Sequence, residues 1–262
     1  MCRLFGYVAN RRVSVVDLLG QDAFDVFTSL TAVHGDGWGM AWHDAGDLVT
    51  DIATSTDSAA DDPQYRELAE QPLGAAGIVH LRWATGGLAV TQPNTHPFSD
   101  GGYTFAHNGN ISPRGRLEEL LSKDSRDKLV GDTDSERYFR FVMQTIATCE
   151  NESGGVVRAI NVLREEFPDC SLNALLLTPS HLYAVHVNSN AASPARALNE
   201  IFSADPGDVP AGHESEYFAM SYRVTSDDIC IISSGLEEVG WSAMSADTVV
   251  AIDLTTREVA RL

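Results

Sequence analysis

Lysine is nearly absent. Lys123 and Lys128 are the only two in a chain of 262 residues, and 18 basic residues face 37 acidic ones, a formal charge of −19. A chain of that charge repels phosphate backbones, which argues against nucleic-acid binding. No run approaches the ~20 apolar residues that span a bilayer, so no membrane association is expected. Arg3, Asn10, Arg11 and Arg12 break up the start of the chain, where a signal peptide would carry its apolar stretch. A cytoplasmic protein is the expectation. The cysteines are Cys2, Cys149, Cys170 and Cys230; they form no CxxC pair and fit no zinc spacing. In a reducing compartment they read as free thiols. The sequence has no GxGxxG and no P-loop, which removes support for nucleotide binding. It has no GxSxG elbow for a serine nucleophile. His34, His80, His96 and His107 lie in separate segments without HExxH spacing, so neither a metal nor a cofactor is expected.

What is present is enough apolar residue, 44% of the chain, to build a sizeable core. "CRLFGYVA" reads as a strand starting at Cys2. "SVVDLLG" and "DAFDVFTSLTAV" read as helices, the second with Phe24, Phe27, Leu30 and Val33 on one face. "WGMAWHD" and "LVTDIAT" read as strands joined through "AGD". "DDPQYRELAEQ" is a helix with proline early, where it is tolerated. "AAGIVHLRWA" and "YTFAHNG" are strands. Three helices follow: "SPRGRLEELLS", with Ser112 as candidate cap, "DTDSERYFRFVMQTIATC", and "GVVRAINVLREEF", ended by Pro168. The rest is mostly strand, with an Ala/Ser/Pro/Gly-rich surface excursion at 189–214. No repeat or linker divides the chain, and strands with grouped helices predict a layered α+β domain.

Four stretches carry more Gly, His, Asn and Asp than routine structure needs. In "HLRWATGG", Arg82 offers a planar fork matched to a carboxylate; equally, it could pair with one of the many acids. In "FAHNGNI", Asn108-Gly109 is either a hairpin turn or a pair of donors, amide and backbone N–H, aimed at one oxyanion. In "GDTDSE", Asp132, Thr133 and Asp134 are good helix caps and Glu136 could close a capping box; alternatively, Asp134 receives a substrate ammonium. "HGDGWG" is a tight turn or a loop lining a ligand, with Gly37 and Trp38 as lining or structural residues.

Taken in order, "MC" at the start, "RWAT" with "NTHPF", "HNGN" and "TDSE" resemble the class II, N-terminal-nucleophile glutamine amidotransferases. The resemblance spans residues 2–140 in motifs. It implies a four-layer αββα sandwich of the N-terminal-nucleophile hydrolase type, formed by a single domain over 2–262 after removal of Met1. It implies Cys2 as nucleophile, Asn108 and Gly109 as oxyanion hole, and Arg82 on the substrate α-carboxylate. It further implies Trp83 and Thr85 in the glutamine pocket, Asp134 on the α-ammonium, and His96 as a structural position. Gly86 stands where some members have histidine. A free α-amine on Cys2, with a pKa near ~7.7–8.0, would serve as general base, so no separate histidine is required.

About 120 residues follow "TDSE", which the fold's second half needs, leaving no room for a synthase domain. The chain therefore resembles the stand-alone members, among them the ergothioneine-pathway γ-glutamyl hydrolase. The expectation is hydrolysis of a γ-glutamyl amide through a γ-glutamyl thioester. The alternatives are a glutaminase subunit that passes ammonia to a separate synthase subunit, and a non-catalytic glutamine-sensing module.

Overall fold

The computed structural model describes residues 2–84, 87–203, 209–210, 213, 215–236 and 240–262. Two antiparallel sheets lie face to face. One contains β1 (Arg3–Val13), β2 (Trp38–His43), β3 (Asp51–Ser55), β4 (Gly74–Leu81), β9 (Met220–Val224), β10 (Asp228–Ser233) and β11 (Ser242–Ala243), in the order β11-β9-β10-β1-β4-β2-β3. The other contains β5 (Phe98–Asp100), β6 (Tyr103–Asn108), β7 (Asn173–Leu177), β8 (His181–His186), β12 (Thr248–Asp253) and β13 (Val259–Arg261), in the order β13-β12-β8-β7-β6-β5.

The period-2 alternation of strand side chains sorts each residue into one of three cores. Leu4 and Val8 of β1 meet Ala106, Leu175, Leu177, Leu182 and Ala184 between the sheets. Phe5, Tyr7 and Ala9 point the other way, onto α1 (Val15–Leu19), α2 (Gln21–Ser29) and α3 (Pro63–Ala69). On the far side, Phe105, Leu176 and Tyr183 pack against α6 (Asp134–Ile146) and α7 (Glu152–Glu166). The layers are therefore helix, sheet, sheet, helix, as expected. Gly6 fits the close approach of the sheets, since a Cβ there would lie 2.8 Å from Leu175.

Local expectations fail where distant partners intervene. Asn108-Gly109 is no hairpin: α4 (Arg114–Glu119), α5 (Lys123–Asp127), α6 and α7 all intervene before β6 finds β7. Pro113, not Ser112, occupies the N-cap of α4, and no side chain caps it. Thr133 caps α6, accepting from Glu136 N–H at 3.0 Å. No reciprocal capping box forms, because the Glu136 carboxylate accepts instead from Val130 and Gly131 N–H. The excursion at 189–214, described in part, contains α8 (Ala195–Ile201), which buries Leu198 against Tyr217 and Phe218.

Candidate active site

Cys2 precedes β1, the strand between β10 and β4 in its sheet. Its backbone N–H donates to Asn108 Oδ1 at 2.8 Å, bridging from one sheet to the last residue of β6 in the other. That bond consumes the carbonyl end of the Asn108 amide. The other end, Nδ2, is fully buried and has no partner among the described residues. A buried donor left unpaired costs roughly 1–3 kcal/mol, and such groups concentrate where a ligand completes them.

Gly109 follows with no room for a side chain: a Cβ would run into Ser171 O and the His107 ring. His107 is itself fixed, with Nε2–H donating to Ser171 O at 2.9 Å and Nδ1 accepting from Ser135 Oγ at 2.9 Å. The carbonyl acceptor dictates that tautomer. Burial lowers the His107 pKa, more than nearby Asp134 raises it, which keeps the ring neutral. Two residues on from Gly109, Ile111 N–H donates to Asp134 Oδ2 at 2.6 Å. Asp134 is buried in the first turn of α6, where the helix dipole favours a negative charge.

Arg82 ends the opposite side of the site. Continuing the β1–β4 register one step past Arg3–Leu81 sets Cys2 opposite Arg82. Among the described residues Arg82 has no carboxylate partner; its guanidinium donates to Asp36 O at 3.4 Å and Ala89 O at 3.1 Å. Burial lowers its pKa, while Cys2 and Asp36 act in the other direction. Trp83 lends its carbonyl to the Cys2 thiol, Sγ···O 3.9 Å. Thr85, Gly86 and Met1 lie outside the described residues.

Two residues missed in the sequence hold this arrangement. Asp36 accepts from Ala84 N–H at 2.8 Å, and backbone bonds Asp36 N–Arg82 O and Arg82 N–Gly37 O bind the "HGDGWG" loop to the arginine segment. Gly37 sits at φ 122°, and a Cβ would lie 2.6 Å from Ser55 O. Asn94 accepts from Asp132 N–H and donates to Ala89 O, the carbonyl that also receives Arg82. The "N" of "NTHPF" thus joins the arginine segment to the start of α6. Neither residue has a local sequence signal beyond its motif.

Trp38 is structural: it is fully buried, stacks edgewise on Tyr65, and donates Nε1–H to Asp62 at 2.9 Å. His96 is buried and stacked on His80, rings 4.2 Å apart. Burial, then the charges of His80 and His107, hold its pKa well below the usual imidazole value.

The electrostatics converge on the thiol. Burial raises the Cys2 pKa, but the positive amino terminus of residue 1, His80 and the Trp83 backbone outweigh it and bring it down to about 6 in the chain that retains Met1. A thiolate is the nucleophilic form of cysteine. By contrast, burial pushes the Cys230 and Cys170 thiols up. No group of three or more His, Cys, Asp and Glu among the described residues is disposed to hold a metal ion. No helix among them is long and apolar enough to cross a membrane. A cavity of about 680 Å³ lies elsewhere, on the outer face of α5, α6 and α7, and shares no residue with the site.

This fold is that of the class II glutamine amidotransferases. The model of that family matches residues 1–202, and the chain belongs to it. It is 29% identical over 266 residues to glutamine–fructose-6-phosphate aminotransferase of Thermococcus kodakarensis, covering 94% of this chain and 41% of that protein. It is 27% identical over 207 residues to YafJ of Escherichia coli strain K12, a glutamine amidotransferase by name, covering 72% of this chain and 74% of YafJ. The chain spans less than half the length of the fructose-6-phosphate aminotransferases it matches. A glutamine aminotransferase class-II domain protein from Silicibacter pomeroyi superposes with TM-score 0.64 at 18% identity, covering 100% of this chain and 98% of that one. The fold is the N-terminal-nucleophile type.

Proposed function

We propose that this chain is a stand-alone, cytoplasmic amidohydrolase acting on a γ-glutamyl amide, with residues 2–262 as its working unit once Met1 is removed. The observation that carries this reading is the split use of Asn108: Oδ1 holds the Cys2 nitrogen while Nδ2 waits, buried and unpaired. Removal of Met1 would turn that nitrogen into a free α-amine beside its own thiol. Coverage of 72% of this chain and 74% of YafJ, and of 100% and 98% with the Silicibacter pomeroyi domain protein, favours the stand-alone form.

In this mechanism the Cys2 thiolate attacks the γ-carbonyl carbon. The S–C bond forms, and the carbonyl electron pair moves to oxygen, between Asn108 Nδ2 and Gly109 N–H. Such donors are worth ~3–4 kcal/mol each to an acyl-transfer transition state. Arg82 takes the substrate α-carboxylate and Asp134 its α-ammonium, with Trp83 and Thr85 lining the pocket. The oxyanion collapses, the C–N bond breaks, and the leaving nitrogen takes a proton from the Cys2 α-ammonium. Water then adds to the γ-glutamyl thioester, returns a proton to the α-amine, and releases glutamate and the thiolate.

The test is intact mass combined with trapping by 6-diazo-5-oxo-L-norleucine, a glutamine-like electrophile. Loss of Met1 and a single label on Cys2 are expected, with glutamate released from γ-glutamyl dipeptides or amines. Turnover that appears only with a second protein would replace this reading with an ammonia-delivering subunit. Glutamine binding by processed chain without turnover would replace it with a sensing module.

A further inference from the structure

His80 and His96 form a buried pair that the mechanism above does not use. The register of the first sheet sets His80 of β4 opposite Leu4 of β1 on one side and Gly39 of β2 on the other. Leu4 faces the space between the sheets. Residues directly opposite share a face, so His80 faces that space too, and Cys2, two residues before Leu4, is its diagonal neighbour. Gly39 makes the pair feasible. A Cβ there would run into the His96 carbonyl and lie 2.7 Å from Pro97, so only glycine lets the His96 segment settle over the strand. The rings then stack with centroids 4.2 Å apart and 24° between planes, backed by Phe98 at 4.6 Å from His96.

Both side chains are buried, and among the described residues none of their four ring nitrogens has a partner except the Cys2 thiol, to which the His80 side chain bonds. Unpaired buried nitrogens destabilise a fold unless they serve something. The Cys2 thiol is the acid on which His80 acts directly.

We propose that His80 is a positioning residue for the nucleophile: stacked on His96 above Gly39, it takes the thiol proton and remains beside Sγ as an imidazolium. The inference rests on the reading of Cys2 as nucleophile. The balance is simple. A proton leaves Sγ for a ring nitrogen of His80, and the electron pair stays on sulfur. The thiolate forms and later breaks its bond to the acyl carbon while His80 keeps the proton. The α-amine alone then serves the leaving nitrogen and the water, so the two proton tasks are divided between two groups.

The surroundings choose His80 over its neighbours. The charged and titratable groups around the pair are the chain terminus and Cys2 beside β1, Arg82 after β4, His107 on β6 and Asp134 on α6, which acts on His107. The chain terminus, Arg82, His80 and His107 all disfavour a charge on His96. With His96 held neutral, a charge on His80 meets no second imidazolium across the stack.

The experiment follows the rate of Cys2 alkylation by iodoacetamide against pH in processed protein, with Cys2→Ser identifying the labelled site by mass. For His80→Asn, folded by circular dichroism, the reactivity limb is expected to move up by at least about one pH unit. The kcat of the variant falls more at pH 6 than at pH 8.5, with KM unchanged. His96→Phe keeps the stack and is expected to keep the wild-type limb. An unmoved limb in His80→Asn overturns the proposal, and so does an equal movement in His96→Phe. If His80→Asn does not fold, the imidazole carbon and proton NMR shifts of His80 in the unmutated chain decide. They should report a charged ring that becomes neutral on alkylation of Cys2; a ring neutral throughout refutes the idea. Alkylation reports on the thiol alone, so a moved limb without any hydrolysis of γ-glutamyl amides would sink the proposed function and leave the His80 role standing.

Discussion

The backbone nitrogen of Cys2 donates to the side-chain oxygen of Asn108 at 2.8 Å, across 106 positions of sequence. One amide thus holds the Cys2 nitrogen with its oxygen, while its own nitrogen has no partner among the described residues and serves the oxyanion in the proposed mechanism. Asn108→Asp keeps the acceptor and removes the donor. Its kcat is expected to fall ~10²–10³-fold in glutamate-release assays, with KM little changed. An unchanged kcat would remove Asn108 from the oxyanion hole.

Reactivity should separate the cysteines. In the chain that retains Met1 the Cys2 thiol is lowered to about 6, so its acid form dominates below that pH and the reactive thiolate above it. Alkylation of Cys2 should rise through pH 6 and level off by pH 8. Cys230 and Cys170, with thiols pushed up by burial, should stay unlabelled over the same range. Peptide mass spectrometry of the labelled protein gives the answer directly.

Arg82→Ala and Asp134→Ala should act chiefly on binding. Each removes a charge proposed to grip the amino-acid end of the substrate, a contact present before and during the chemistry. KM is expected to rise at least ~10-fold, with a smaller change in kcat. A pure kcat effect would move both residues out of the binding role.

Trp38→Phe tests the opposite property. The ring still fills the core against Tyr65, but the bond from Nε1 to Asp62 is lost. The expected cost is ~0.5–1.5 kcal/mol in a denaturant titration, with kcat/KM unchanged.

Much of the proposed site is legible in the order of four motifs, and little of it in local rules. Those rules give Asn108-Gly109 a hairpin and Asp134 a cap. Each loses for the same reason. Asn108 is paired with Cys2 from the other sheet, and Asp134 accepts from Ile111, while Thr133 does the capping. The layers follow from mixed strands and helices, but the strand order does not. β7 is buried along its whole length, so its sequence shows an apolar run rather than an alternation that could assign its faces. Helix α8 is hidden because Leu198 is its only buried residue and its flanks are rich in Ala, Ser and Pro. His80, Asp36 and Asn94 stay silent because a single polar residue inside a motif does not say which partner it faces.

The position of β1 also sets a timetable. Its residues are among the first to be synthesised, yet one of its two neighbours, β10, arrives near the end: Leu4 N–H waits for Ser233, 229 positions later. Non-local pairings of that span are made late in folding. While the ribosome is still working, the start of the chain is a loose end on which an aminopeptidase can act. Once β10 has paired with β1 and the sheets have met, Cys2 is buried. Any removal of Met1 therefore has its opening before β10 is made, an order that amino-terminal sequencing of nascent and released chains would check.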